Sequence, residues 1–459
     1  MLKRLRLQRF KSWDDTGDVA LRPITGLFGS NSSGKTSLLQ AILLLKQTVN
    51  SSDRGLALDF GNEKTPVDLG DFHSLIYRHQ EDSDLRFDLD WERLTPLIVT
   101  DPKGRGEPLV QNKALGLSTQ IRGRKSSAGK VFQLIVPEIE YRLGGVSFGL
   151  RSRKEKDNEY DLFARDVDYQ FIRTPGRAWP LPPPVKCYGF PDQARAYYQN
   201  AGFLSDLELA FEEQLRQVFY LGPLRAYPER RYTWAGTQPS DMGRTGDQAV
   251  HALLSSRDRG EKISRGRGKP RVTLEEYVAE WLKKLGLIAE FHVESIAEGS
   301  HLFRVGVRKV ADGPPSLITD VGFGVSQILP VVVLCFYVPE GSTVILEQPE
   351  IHLHPAVQAG LADVLIDAYQ KRGVQIIVES HSEHLLRRFQ RRIAEEELSK
   401  DDVGLYFCQI GEAGSSLTSL DLDLFGNISN WPADFFGDQF GEIEAITRAS
   451  LVRRKADAL

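Results

Sequence analysis

The sequence predicts an α/β protein in which a parallel sheet, with helices on its faces, is assembled from the two ends of the chain around an antiparallel β lobe and a large insertion. Three observations carry this. An apolar strand, a glycine-rich loop and a helix apolar nearly all round follow one another between Ile24 and Asn50. From Ser342 to Cys408 apolar strands alternate with helical segments, as in a sheet of parallel strands joined by helices. Between these two regions, stretches such as DLRFDLDWE and VFQLIVPEIEYRLGGVSFGLR alternate apolar and polar residues, the period of antiparallel strands with one solvated face.

In chain order, Leu2, Leu5 and Leu7 lead into Phe10, and the stretch from Ile24 to Phe28 ends at a glycine; both read as strands opening the α/β core. TSLLQAILLLKQTVN, from Thr36, reads as a helix buried on most sides. Leu85, Phe87, Leu89 and Trp91 alternate with charges, and Gly144-Gly145 marks a hairpin turn. RSRKEKDNEYD, from Arg151, reads as a solvated loop, and WPLPPPVKCYGFP, from Trp179, as a rigid connector. Two helices follow, each with a capping box: Ser205 with Glu208, and Thr273 with Glu276, the second stopping at Gly286. The last third reads as a strand from Thr343 to Leu346, a helix from Pro355 stopped by Gly373, a strand from Val374 to Val378, a helix capped by Ser382 and a strand from Val403 to Cys408. The expected division is 1–55 and 315–412 for the core, 56–195 for the β lobe, 196–314 for a helical and hairpin insertion, and 413–459 for a small C-terminal domain.

Composition narrows the function. With 459 residues the chain can bury a sizeable core, and 58 basic against 62 acidic residues exclude a globally basic nucleic-acid binder, so any basic contact surface is local. The longest nearly apolar run, from Ile328 to Val338, is far short of the ~20 residues a membrane-spanning helix needs. MLKRLRLQRFKSW lacks the apolar stretch and cleavage site of a signal peptide, which points to a cytoplasmic protein without membrane attachment. Cys187, Cys335 and Cys408 are odd in number and far apart, which argues against a disulfide framework or a metal clip.

GSNSSGKTS, from Gly29, has the spacing G-x-x-x-x-G-K-[ST] after a strand and at the start of a helix. Gly29 and Gly34 let the amides of the loop, through Asn31, Ser32, Ser33 and Ser37, wrap phosphates; Lys35 reaches the β and γ phosphates of ATP, and Thr36 ligates magnesium. In STVILEQPEIHLHP an apolar strand ends in acid, which makes Glu347 the candidate magnesium ligand. VQIIVESHSEHLL puts His381 just past another strand, 34 residues on, where one strand-helix-strand unit returns it to the same sheet edge to sense the γ phosphate.

With ITDVGFGVSQILPVVV, from Ile318, these segments resemble the ATP-binding-cassette-type ATPases of the SMC, RecF and OLD group. The resemblance implies a P-loop NTPase head whose signature helix binds the γ phosphate of a partner head; Gly322, Gly324, Ser326 and Gln327 fall there, and Lys11, in RFKSW, falls on a strand that approaches the nucleotide. It is closest to stand-alone bacterial ATPases with E-x-P-E-x-H-L-H-P and a short C-terminal domain of unknown function, on YLGPLRAYPERRY from Tyr220 and GNISNWPADFFGDQFGE from Gly426. Where such ATPases carry a catalytic glutamate, this chain has Gln348, whose amide cannot take a proton from water; either Glu350 is the base, or Gln348 orients the water and hydrolysis is slow. His352 and His354 have a ligand spacing but no cysteine completes a zinc set. Asp421 and Asp423 read as surface acids, because too few residues follow for a nuclease domain.

The resemblance implies an ATP-driven dimerisation switch, as homodimer or larger assembly, acting on a partner effector protein and possible in antiphage defence. The alternative is a RecF-type repair ATPase holding duplex DNA. The stretch 257–271, with seven basic and two acidic residues, reads as a phosphate-backbone contact or as a solvated loop. Arg225, Arg230 and Arg231 read as phosphate or dimer contacts, or as internally paired.

Overall fold

The computed structural model describes residues 1–100, 108–125, 131–153, 156–266, 268–432, 435, 444–450 and 453. The chain ends meet in a six-stranded sheet with the spatial order Val218–Leu221, Thr343–Glu347, Gln375–Glu379, Ile24–Gly29, Val403–Gly411, Gly414–Ser419. The first five strands are parallel and the last pairs antiparallel with its neighbour. TVILE and QIIVE are buried nearly throughout because helices cover both faces, which is why they read as continuous apolar runs.

The two faces feed two cores. Val344, Leu346, Ile376 and Val378 pack with helices Phe323–Tyr337, Pro355–Arg372 and Glu383–Ala394. Ile345 and Ile377, pointing the other way, pack with helix Lys35–Asn50. That helix also meets helix Leu204–Arg216 and the β lobe, so it is enclosed on several sides, as its apolar circumference requires. Helix Pro355–Arg372 begins on a proline and ends at Gly373, whose φ of 63° suits glycine. Helix Glu383–Ala394 is capped by the Ser382 hydroxyl, and helix Leu274–Lys284 by the Thr273–Glu276 box.

The β lobe is an antiparallel eight-stranded sheet. Strand Leu2–Phe10 lies in it, paired with Leu85–Thr100, and not in the parallel core where it was expected. It is tied to the core through Gln375, whose side chain exchanges hydrogen bonds with the Leu2 backbone at 2.9 and 2.7 Å. Gly144 and Gly145 turn a hairpin between Val131–Leu143 and Val146–Arg153 with φ of 59° and 92°. Of the charged stretch from Arg151, residues 151–153 and 156–161 are strand, not loop, with Arg153 bridging to Asp161 at 2.8 Å; residues 154 and 155 lie outside the described residues. Ser205 lies inside its helix and caps nothing, while Glu208 accepts from the Phe190 amide at 2.6 Å. Val218–Leu221 and Gly414–Ser419 join the core sheet although they fall in the expected insertion and C-terminal domain. Among the described residues no helix is long and apolar enough to cross a membrane.

Candidate functional site

Strand register sets the site. Glu347 lies opposite Glu379, and Glu379 opposite Leu27, so two carboxylates and the start of the glycine-rich loop share one sheet edge. Gly29 has a φ of 135°, and a Cβ there would lie 2.1 Å from the Cys408 carbonyl oxygen, so the close passage of the loop over strand Val403–Gly411 admits only glycine. Gly34, at φ 93°, starts helix Lys35–Asn50, and its carbonyl accepts from the Trp13 indole at 3.1 Å. The cleft beneath has a volume of about 180 Å³ and is lined by Ser12, Asn31, Ser32, Ser33, Gly34, Lys35, Thr36, Ser37, Gln348, Glu379 and His381.

Lys35 is buried, and its ammonium donates to the carbonyls of Gly29 at 3.1 Å and Ser30 at 2.6 Å. Burial lowers its pKa, against the opposing carboxyl groups of Glu379 and Glu350. The Thr36 hydroxyl donates to Glu379 Oε1 at 3.0 Å, while Glu379 Oε2 is buried and makes no close hydrogen bond among the described residues, with the Gln348 side chain facing the same carboxylate. Burial, and next the Glu347 charge, push Glu379 up to about 7. Glu347 accepts from the Tyr220 hydroxyl at 2.6 Å. Desolvation and the Lys35 charge hold His381 below its ordinary value. Gln348 sits on the cleft with a φ of 44°, its amide N–H donating to the Glu379 carbonyl at 2.8 Å.

Other predicted residues lie elsewhere. Lys11, in the tight turn between Leu2–Phe10 and Trp13–Asp15, donates to Gln40 at 2.5 Å and does not line the cleft; its neighbour Ser12 does. Glu350 is buried behind the cleft, with Oε1 accepting from the His381 amide at 2.6 Å. Gly322 caps helix Phe323–Tyr337 as the signature reading requires, but Ser326 and Gln327 are buried, and the Ser326 hydroxyl donates to the Phe323 carbonyl at 2.8 Å. Gly322 and Phe323 form the exposed tip, with Gly324 half-buried beside them. His354 caps helix Pro355–Arg372, and His352 packs against Phe323, so the two rings have separate tasks. Asp423 accepts from Asn427 in an exposed turn. Of the stretch from Gly426, residues 433–434 and 436–442 lie outside the described residues.

Ser12, Tyr220 and Glu379 were missed as site residues. Glu379 had a visible signal: like Glu347 it is the last residue of an apolar strand. The donor set fits magnesium and a polyphosphate. A buried carboxylate oxygen beside a threonine hydroxyl offers hard oxygen ligands, and a lysine held by the loop's own carbonyls and the Ser33 hydroxyl stands under a glycine cradle.

Residues 24–180 and 289–387, more than half of the chain, match the family described as "AAA domain, putative AbiEii toxin, Type IV TA system". The chain belongs to this AAA-domain family. It is a P-loop ATPase-family protein, in agreement with the motifs and the parallel sheet. In this AAA chain, residues 398–446 match a second family, "Protein of unknown function (DUF3696)", as the resemblance implied for the C-terminal part. No curated protein is significantly similar to it. Among solved structures it is similar to an SmcHead bound to the C-winged helix domain of ScpA, with 11% identity over 92% of this chain and 98% of that one and a TM-score of 0.44. It is also similar to the SMC head domain from Thermotoga maritima, with 12% identity over 92% and 99% and a TM-score of 0.39.

Proposed function

We propose that this AAA protein binds ATP with magnesium in the cleft, hydrolyses it slowly, and uses the nucleotide to pair with a second copy and switch a partner effector, in the setting of antiphage defence. The observation that carries the reading is the meeting of Lys35, Thr36, Glu347 and Glu379 at one sheet edge under a glycine-cradled loop. Lys35 exchanges its carbonyl partners for β and γ phosphate oxygens, and the loop amides from Asn31 to Ser37 hold the rest of the phosphate chain. Thr36 and Glu379, with Glu347 alongside, hold magnesium, which when bound supplies charge that offsets the phosphates.

Gln348 is on the cleft and Glu350 is not, which favours an amide that orients water over a glutamate that deprotonates it. His381 lines the cleft, where burial and the Lys35 charge disfavour its protonated form, and is assigned to sense the γ phosphate. Lys11 supports the helix through Gln40, and no direct nucleotide contact is asked of it. The second copy meets the tip at Gly322, Phe323 and Gly324, with Ser326 and Gln327 shaping it from beneath. In the stretch 257–271, Arg257, Arg259 and Arg265 pair with Glu275, Glu261 and Glu280, which leaves less of its charge for the duplex-DNA alternative.

Magnesium-dependent ATP turnover tests this. The wild type should be slow, and Gln348→Glu should accelerate it by roughly 10²-fold, the lower range for gaining a general base. A wild type already fast, or a variant no faster, contradicts the assignment of Gln348.

A further inference from the structure

Arg225 is held in place by its own loop. The Gly222 amide donates to the Arg244 carbonyl at 2.8 Å and the Ala226 amide to the Thr245 carbonyl at 2.9 Å, pinning the backbone on both sides of it. Its Nε and Nη1 are buried without a hydrogen-bond partner among the described residues. Burial lowers its pKa to about 10, and the acids it faces are Glu347 and Glu350, beside the Tyr220 hydroxyl. Glu350 is the complementary case. Its Oε1 is taken by the His381 amide, the Ser380 hydroxyl faces the same carboxylate, and Oε2 is buried without a close hydrogen bond among the described residues. A buried guanidinium and a buried carboxylate oxygen, each left unsatisfied near the other, both carry a desolvation cost that is relieved when they meet.

We propose that Arg225 is a positioning residue: it pairs with Glu350 Oε2 as the cleft closes on nucleotide and, through Glu350, fixes the backbone of His381 at the cleft. This rests on the nucleotide reading above and adds a link to it. The same loop carries Tyr227, whose ring stands edge-on to Phe323 at 5.4 Å, so the pair joins the tip of the signature helix to the His381 loop.

The test compares Arg225→Met, Arg225→Lys, Glu350→Gln and the double variant Arg225→Met/Glu350→Gln for ATP affinity, KM and kcat. Affinity and KM should stay within about threefold of wild type, while kcat falls about 10- to 100-fold in Arg225→Met, the range for losing one charge-assisted bond. Arg225→Lys should recover part of that loss, and the double variant should be no slower than the slower single variant, because the two side chains act as one unit. Losses that multiply in the double variant, or an Arg225→Met enzyme at wild-type rate, overturn the proposal. If Arg225→Met lacks a cooperative melting transition, Arg225→Lys and Glu350→Gln decide: reduced kcat at constant KM in both supports it, and wild-type kcat in either overturns it. A wild type that binds no ATP would instead defeat the nucleotide reading on which it rests.

Discussion

Glu379 is the residue at which function and stability oppose one another. Burial and the neighbouring Glu347 raise it from the usual 4.5 to about 7, so the folded protein binds this proton more tightly than the unfolded chain. A raised folded-state value contributes stability that is complete below about 4.5 and is lost as pH rises through 7. Glu379→Gln removes the ionisation. It should therefore match wild type near pH 4 and exceed it at pH 8 by on the order of 1–3 kcal/mol, read from melting curves across that range. Added magnesium should narrow the gap, since it stabilises the ionised wild type; a gap independent of pH contradicts the account. Sequence alone showed Lys35 and Thr36, because a phosphate loop is a contiguous string. Glu379, Ser12 and Tyr220 become site residues only when register brings separate segments together, as in the Thr36–Glu379 hydrogen bond.

Among the elements, local signals read true. Pro355, Gly373, Ser382 and the Thr273–Glu276 box sit at helix ends because each satisfies or tolerates backbone groups within its own turn. Thr273→Ala should cost about 1 kcal/mol in denaturant unfolding. Ser205 had the same spacing but lies one residue inside its helix, where Glu208 is drawn to the Phe190 amide instead. Leu2–Phe10 was assigned to the wrong sheet although its alternation of leucine with basic residues is the mark of a strand buried on one face. The charged run from Arg151 reads as a loop because cross-strand ion pairs, which let charges occupy a hairpin, cannot be seen in one strand. Helix Phe323–Tyr337 was legible, but not which of its residues emerge: Phe323 is 48% exposed and Ser326 only 7%. Phe323→Arg should therefore weaken ATP-dependent self-association by roughly tenfold or more while leaving nucleotide affinity unchanged, measured by sedimentation with and without ATP. Association that is equal in the two proteins would place the interface elsewhere.

At the scale of the whole molecule, the chain is an AAA protein whose parallel sheet joins a strand at Ile24–Gly29 to strands drawn from Val218 onward. Motifs near residues 29, 347 and 381 foretold that the ends would meet, because a phosphate loop needs an acid on a nearby strand. The edge strands Val218–Leu221 and Gly414–Ser419 were not foretold, since four to six residues carry too little periodicity to declare their sheet. Phe435 shows how the C-terminal family segment joins the core: its ring packs against Phe407 at 4.5 Å and Phe28 at 6.1 Å, on the strand that leads into the phosphate loop. The central claim is that this loop holds ATP. Calorimetric titration of ATP with magnesium into the wild type and Lys35→Ala tests it most directly. The account predicts saturable binding at one site per chain, weakened by roughly 100-fold or more in the variant as the charge-assisted bonds to phosphate are lost. Equal affinity in the two proteins, or no binding by the wild type, would contradict it.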